Sequence, residues 1–185
     1  MIDLALNAPL TVILTEDECW MYLQATTMYA WSPCGQTPIV PVHPGREKVG
    51  FYGTLNLRTG CETVMRSKSF NAATSARYLL LLLRTYPDVP ILLLWDRAPW
   101  HHGPEIREVL VAHPRLEIMR YPVAAPDFNP QEHIWKETRR AVTHNHLIPT
   151  LPELADLFED YLITSSFTSS FLDRYDYDAI CSIFN

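Results

Sequence analysis

From Val89 to Trp95 the chain is apolar without a break, Val-Pro-Ile-Leu-Leu-Leu-Trp, and it then meets Asp96. So short a run without polar alternation suits a strand covered on both faces, which places it centrally in a sheet with helices on either side. The segments that follow fit crossover units. Pro104 opens a helix to about Ala112, Leu116 to Tyr121 reads as the next strand, and Asn129-Pro130 starts a helix to about Val142. A last helical segment begins near Leu151.

Upstream, Leu10 to Thr15 is β-prone and ends in Glu16-Asp17-Glu18, which reads as a strand delivering acids to its C-terminal end. Trp31 to Gly45 is punctuated by proline and glycine, a loop with at most one short strand around Ile39. Lys48 to Leu57 and Cys61 to Arg66 form a hairpin about Arg58-Thr59-Gly60. Asn71 and Thr74 then open a helix to about Thr85, with Ala72, Ala76, Leu79, Leu80 and Leu83 on one side and Pro87 and Pro90 ending it. The order predicts an α/β fold, a mixed β-sheet flanked by α-helices, as one domain over residues 1–185.

With 48% hydrophobic and 19% charged residues, the chain is suited to a packed core. No apolar run approaches the roughly 18 residues of a membrane span, and the N-terminus lacks a signal-peptide pattern, so a cytoplasmic protein without membrane contact is expected. Cys19, Cys34, Cys61 and Cys181 contain no C-x-x-C pair, and His101-His102 and His144/His146 lack partners at zinc spacing. Reduced, mostly buried thiols and no structural zinc follow. The formal charge of -6 excludes a protein that coats nucleic acid, so any DNA contact must be local.

Asp17 and Asp96 fall where strands meet loops, the place where open α/β sheets put their sites, and Glu132 lies in the first turn of a helix. Three carboxylates from distant positions suit a two-metal phosphodiester site, because hard divalent ions take oxygen ligands. Two carboxylates roughly 4 Å apart would otherwise repel by about 4 kcal/mol at an effective dielectric of 20. Simpler readings stand beside this one. Glu132 is placed to close a capping box with Asn129, Asp17 to be a solvated turn residue, and Asp96 merely to end its strand.

Two motifs add a resemblance. Ile91 to His101, I-L-L-L-W-D-R-A-P-W-H, and Tyr121 to Lys136, Y-P-V-A-A-P-D-F-N-P-Q-E-H-I-W-K, are similar to the catalytic core of mariner-type and insertion sequence 630-like transposases, the DDE superfamily endonucleases. L-T-E-D-E-C-W, Leu14 to Trp20, and W-S-P-C-G, Trp31 to Gly35, resemble the same family more weakly. The resemblance implies an RNase H-like fold, with Asp17, Asp96 and Glu132 as the catalytic ligands of two divalent ions, Mg2+ or Mn2+. It implies DNA cleavage and strand transfer at transposon ends, the rivals being a nuclease without strand transfer and a silent remnant that only binds DNA or a partner transposase.

The implied partners are transposon-end and target DNA, with a homodimer or an association with a helix-turn-helix-containing transposase subunit. The chain departs from the family in two places. Arg97 stands where Asn is common, and no helix-turn-helix region precedes the first strand. Arg97, His101, Lys136, Arg139 and Arg140 are the candidate DNA contacts. His101 could orient a water, a carboxylate or a phosphate, its simpler reading being an ordinary hydrogen-bonded or exposed loop histidine, and for Lys136 the simpler reading is an ion pair with Glu132. Trp95 and Trp135 are expected in the core.

Overall fold

A computed structural model describes residues 11–24, 27–29, 31–41, 43–122 and 129–167. Five strands form one sheet, β1 (Val12–Tyr22), β2 (Lys48–Asn56), β3 (Glu62–Ser67), β4 (Ile91–Trp95) and β5 (Leu116–Arg120), in the spatial order β3-β2-β1-β4-β5. β1, β2 and β3 pair antiparallel, while β1, β4 and β5 pair parallel. The helices are α1 (Ala72–Thr85), α2 (Pro104–Ala112), α3 (Gln131–Val142) and α4 (Leu151–Thr164), with a short 3-10 turn at Pro99–His101.

The hairpin and α1 form as their residue types require. Gly60 takes φ 69°, a conformation costly for side-chain-bearing residues, and closes the turn by donating to the Asn56 carbonyl. Asn71 caps α1 by accepting from the Thr74 amide, and the Thr74 hydroxyl accepts from the Asn71 amide in return.

The central apolar run is β4, and all five of its residues are buried. Its side chains alternate between two cores. Ile91, Leu93 and Trp95 join Leu14, Tyr52, Tyr78, Leu79 and Ile106 under α1 and α2, whereas Leu94 joins Ile13, Phe51, Trp135 and Phe158 under α3 and α4. Trp95 and Trp135 are each 1% exposed, so both belong to the core as expected.

Two expectations need correction, the end of β1 and the burial of the thiols. β1 does not stop at Thr15 but runs through Glu16-Asp17-Glu18 to Tyr22, because β2 pairs with it residue by residue from Leu14↔Asn56 to Tyr22↔Lys48. The loop expected from Trp31 to Gly45 is a loop, with no strand among its described residues and Ile39 92% exposed. Of the described cysteines only Cys19 is buried, while Cys34 and Cys61 are exposed; Cys181 lies outside the described residues, as does the 123–128 part of the second motif. Among the described residues no helix is long and apolar enough to cross a membrane.

On β3, the fully buried Glu62 accepts from the Gln131 side-chain amide at 3.0 Å. Burial pushes its carboxyl well above the usual range, only partly opposed by its hydrogen bonds. Its neutral form is favoured by folding, so this stabilisation is full in acid and is lost as pH rises towards the raised value. We expect Glu62→Gln to gain stability relative to the parent by up to about 1.4 kcal/mol per pH unit across that window. Chemical denaturation of both proteins from pH 5 to pH 9 measures it; parallel curves would mean that Glu62 is already charged.

Candidate active site

β1 and β4 run parallel with Thr15 opposite Leu94, so the register carried two residues further sets Asp17 beside Asp96. Asp96 is the first residue past β4, whereas Asp17 stays within β1, held on its other side by Gly53 of β2. α3 lies across this end of the sheet. Its Trp135 indole donates to Asp17 Oδ2 at 3.2 Å, which ties the helix carrying Glu132 to the strand carrying Asp17. Two further bonds fix the approach, since Thr15 Oγ1 meets Tyr121 Oη at 2.5 Å and donates to Asn129 Oδ1 at 3.4 Å.

The capping alternative for Glu132 is not what the structure shows. α3 begins at Gln131 without a side-chain cap, and Asn129 Oδ1 instead accepts from the Gln131 amide. The charges of the acids also bear on one another. Burial pushes the Asp17 carboxyl up to about 8, with the charges of Glu18, Glu132 and Asp96 adding to it. Asp96 moves the other way: burial would raise it, but His101, the Ala98 amide and Arg120 together hold it below the usual range.

Behind Asp96 lies a second group, Glu16, Glu18 and His101, whose potential ligand atoms fall within 4.8 Å of one another. It is tied internally by hydrogen bonds. His101 Nε2 and the Trp100 indole both meet Glu18 Oε1 at 2.7 Å, and His101 Nδ1 stands 2.6 Å from Asp96 Oδ1. Burial, with Glu18, Asp17 and Asp96 nearby, pushes the enclosed Glu16 carboxyl well above its usual range. His101 is 1% exposed. So enclosed a ring does not fit the DNA contact expected of it, since its two nitrogens face Glu18 and Asp96.

The family model for "DDE superfamily endonuclease" matches residues 12–155, a span that contains all three carboxylates. The chain belongs to the DDE superfamily endonucleases. A curated relative, the insertion element IS630 uncharacterized 39 kDa protein of Shigella sonnei, is 27% identical over 156 residues, covering 83% of this chain and 45% of that protein. The fold is similar to Mos1 transposase in its paired-end complex with the left transposon end, at TM-score 0.67 and 18% identity over 86% of this chain and 50% of that one. The catalytic domain of Mos1 mariner transposase matches at TM-score 0.57 and 14% identity over 84% of this chain and 72% of that one. This DDE superfamily chain therefore has the RNase H-like architecture, and it spans about half the length of the curated relative and of the Mos1 chains in those complexes.

The basic residues expected on the helix of this DDE superfamily member are accessible to different degrees. Lys136 and Arg140 are exposed and Arg139 is half-buried, on α3 beyond Glu132. Among the described residues no ion pair joins Glu132 to Lys136. Arg97 is exposed and donates through Nε to the Tyr121 carbonyl at 3.2 Å, so its head is tethered beside Asp96.

Arg120 carried no signal in the sequence. Its guanidinium lies 4.8 Å over the Trp95 ring and donates to the Asp96 carbonyl at 2.5 Å and the His101 carbonyl at 2.9 Å. One planar fork thus closes the turn that carries Asp96, a geometry that an ammonium group reproduces poorly.

Proposed function

We propose that Asp17, Asp96 and Glu132 bind two divalent ions, Mg2+ or Mn2+, and that the chain cleaves DNA phosphodiesters at transposon ends and joins the freed 3′ end to target DNA. The observation that supports this reading is the register that sets Asp17 beside Asp96, together with an Asp17 carboxyl pushed up to about 8 by burial and by the charges of Glu18, Glu132 and Asp96. An all-carboxylate donor set fits hard cations. Such ions supply an activated water or hydroxyl and neutralise the leaving oxygen. Mos1 paired-end complexes have been solved with Mn and with Mg, which agrees with that choice.

The chain's own residues orient the reaction. Trp135 holds Asp17, the Arg120 fork and the Ala98 amide hold Asp96, and Arg97 projects beside it to steady a phosphate. Asp96→Asn should lower Mn2+-dependent nicking of supercoiled plasmid at least about 1,000-fold, equivalent to about 4 kcal/mol of transition-state stabilisation. Oligonucleotides with pre-cut 3′ ends test joining. Nicking without joining would favour a nuclease, and failure to bind Mn2+ a silent remnant.

DNA is the partner, with the phosphate backbone tracked by Lys136, Arg139 and Arg140. Recognition of particular ends is assigned to a helix-turn-helix region of a longer protein or partner subunit, and the working unit to a homodimer or such an assembly. The chain alone should bind duplex DNA weakly, with little sequence preference. Replacing Arg139 and Arg140 together by Ala should reduce the slope of log affinity against log salt by about 2 and leave Mn2+ binding intact. Fluorescence anisotropy at several salt concentrations reads both, and an unchanged slope would make them ordinary solvated residues.

A further inference from the structure

We infer that His101 and Glu18 are positioning residues that set the orientation of the Asp96 carboxylate. The inference rests on the reading of Asp96 as a cation ligand. It starts from a continuous chain of side chains: Glu18 Oε1 meets His101 Nε2 at 2.7 Å, and His101 Nδ1 stands 2.6 Å from Asp96 Oδ1. The first contact is a well-formed hydrogen bond, and the second is a close polar contact in which the ring N–H lies off the line to the carboxylate. Ala98 donates its amide to the same Asp96 oxygen at 2.8 Å. Two partners on Oδ1 restrict rotation of the carboxylate and direct its other oxygen to a different ligand.

The imidazole cannot easily move. Its ring lies 4.0 Å from that of Trp95, and Glu18 also accepts from the Trp100 indole, so one β1 carboxylate grips two consecutive residues of the Pro99–His101 turn. A histidine serving only the core would end its contacts inside the core. Here the chain of contacts emerges at a carboxylate whose side chain is 44% exposed, the one expected to meet a cation. Outer partners of this kind commonly change metal affinity by about 10- to 100-fold when removed.

Two replacements of His101 separate positioning from packing. His101→Asn keeps an N–H donor near the Nδ1 position, facing Asp96, whereas His101→Gln keeps one near Nε2, facing Glu18. Both lose the ring contact with Trp95, so their melting temperatures in EDTA should fall together. We expect calorimetric titration of the full chain to show Mn2+ binding about 10-fold weaker in His101→Gln and within about 3-fold of the parent in His101→Asn. Glu18→Gln, which retains shape and loses charge, should weaken Mn2+ binding several-fold with little change in melting, and it carries the test if a His101 variant does not fold. Equal Mn2+ affinities in the two His101 variants, or parental affinity in Glu18→Gln, would overturn the inference while leaving the cation site standing. A parent protein that binds no Mn2+ would remove both.

Discussion

Asp17→Asn should abolish cleavage and, at the same time, raise the melting temperature of the protein in EDTA. The two effects have one cause. Burial and the charges of Glu18, Glu132 and Asp96 push the Asp17 carboxyl up to about 8, so near neutral pH the fold holds a proton that the unfolded chain would release. A raised carboxyl contributes stability that is complete below its ordinary range and is lost as pH climbs to the folded value, here from about 3.8 to about 8. Asn carries no such dependence and still offers an oxygen to the Trp135 indole. After allowance for solvent screening, we expect a gain of about 2 kcal/mol at pH 7.5, or roughly 5 °C in Tm for a domain of this size. The gain should shrink towards zero by pH 4.

Cation binding should reverse the order. Mn2+ at a hundred times its dissociation constant stabilises a protein by about 2.7 kcal/mol, and Asp17→Asn should lose most of that increment. Asp96 behaves differently, because His101 and Arg120 already hold its carboxylate low, so Asp96→Asn should gain nothing in EDTA. Thermal melts of the three proteins at pH 4, 6 and 7.5, with EDTA and with Mn2+, distinguish the cases. If Asp17→Asn melts below the parent at every pH, Asp17 is a structural acceptor for Trp135 and the strained-carboxylate account fails.

Asp96 and Glu132 were legible in the sequence because each follows strong punctuation, an unbroken apolar run before Asp96 and Asn129-Pro130 before the helix of Glu132. Asp17 was located but its setting was misread. Three consecutive acids look like the end of a strand, yet β2 satisfies the backbone as far as Tyr22, and Glu18 is held by distant groups. Glu18 has Trp100 and His101 as partners, residues far along the chain, so no local pattern reveals that His101 is buried and turned from DNA. The same holds for Arg120, whose acceptors are backbone carbonyls. Trp135 was readable as core, but its bond to Asp17 depends on how closely α3 approaches the sheet.

That approach depends on Gly53, and Gly53→Ala should cost both stability and activity through one displacement. Gly53 pairs directly with Asp17, and α3 lies against it so closely that an added Cβ would stand 2.2 Å from Trp135 Cη2 and 2.7 Å from Gln131 Nε2. Neither neighbour can yield cheaply. The Trp135 ring is 1% exposed, packed beside Phe158 and bonded to Asp17, while Gln131 is tied to the buried Glu62. Helix α3 must therefore lift, which loosens the Trp135 to Asp17 bond and carries Glu132 away from the two aspartates. Overpacking of this kind costs about 1–3 kcal/mol, and a shift near 1 Å at a reacting centre can cost about 100-fold in rate. Trp135→Phe provides the control, since it removes the indole N–H and part of the obstructing ring. In the Gly53→Ala, Trp135→Phe double variant the penalties should be less than additive, because the smaller ring makes room for the methyl group. Urea denaturation and Mn2+-dependent nicking of the two single variants and the double variant measure this coupling. Additive losses, or a Gly53→Ala protein with parental nicking, would show that α3 is positioned by its other contacts and that the close approach at Gly53 does not set the geometry of the site.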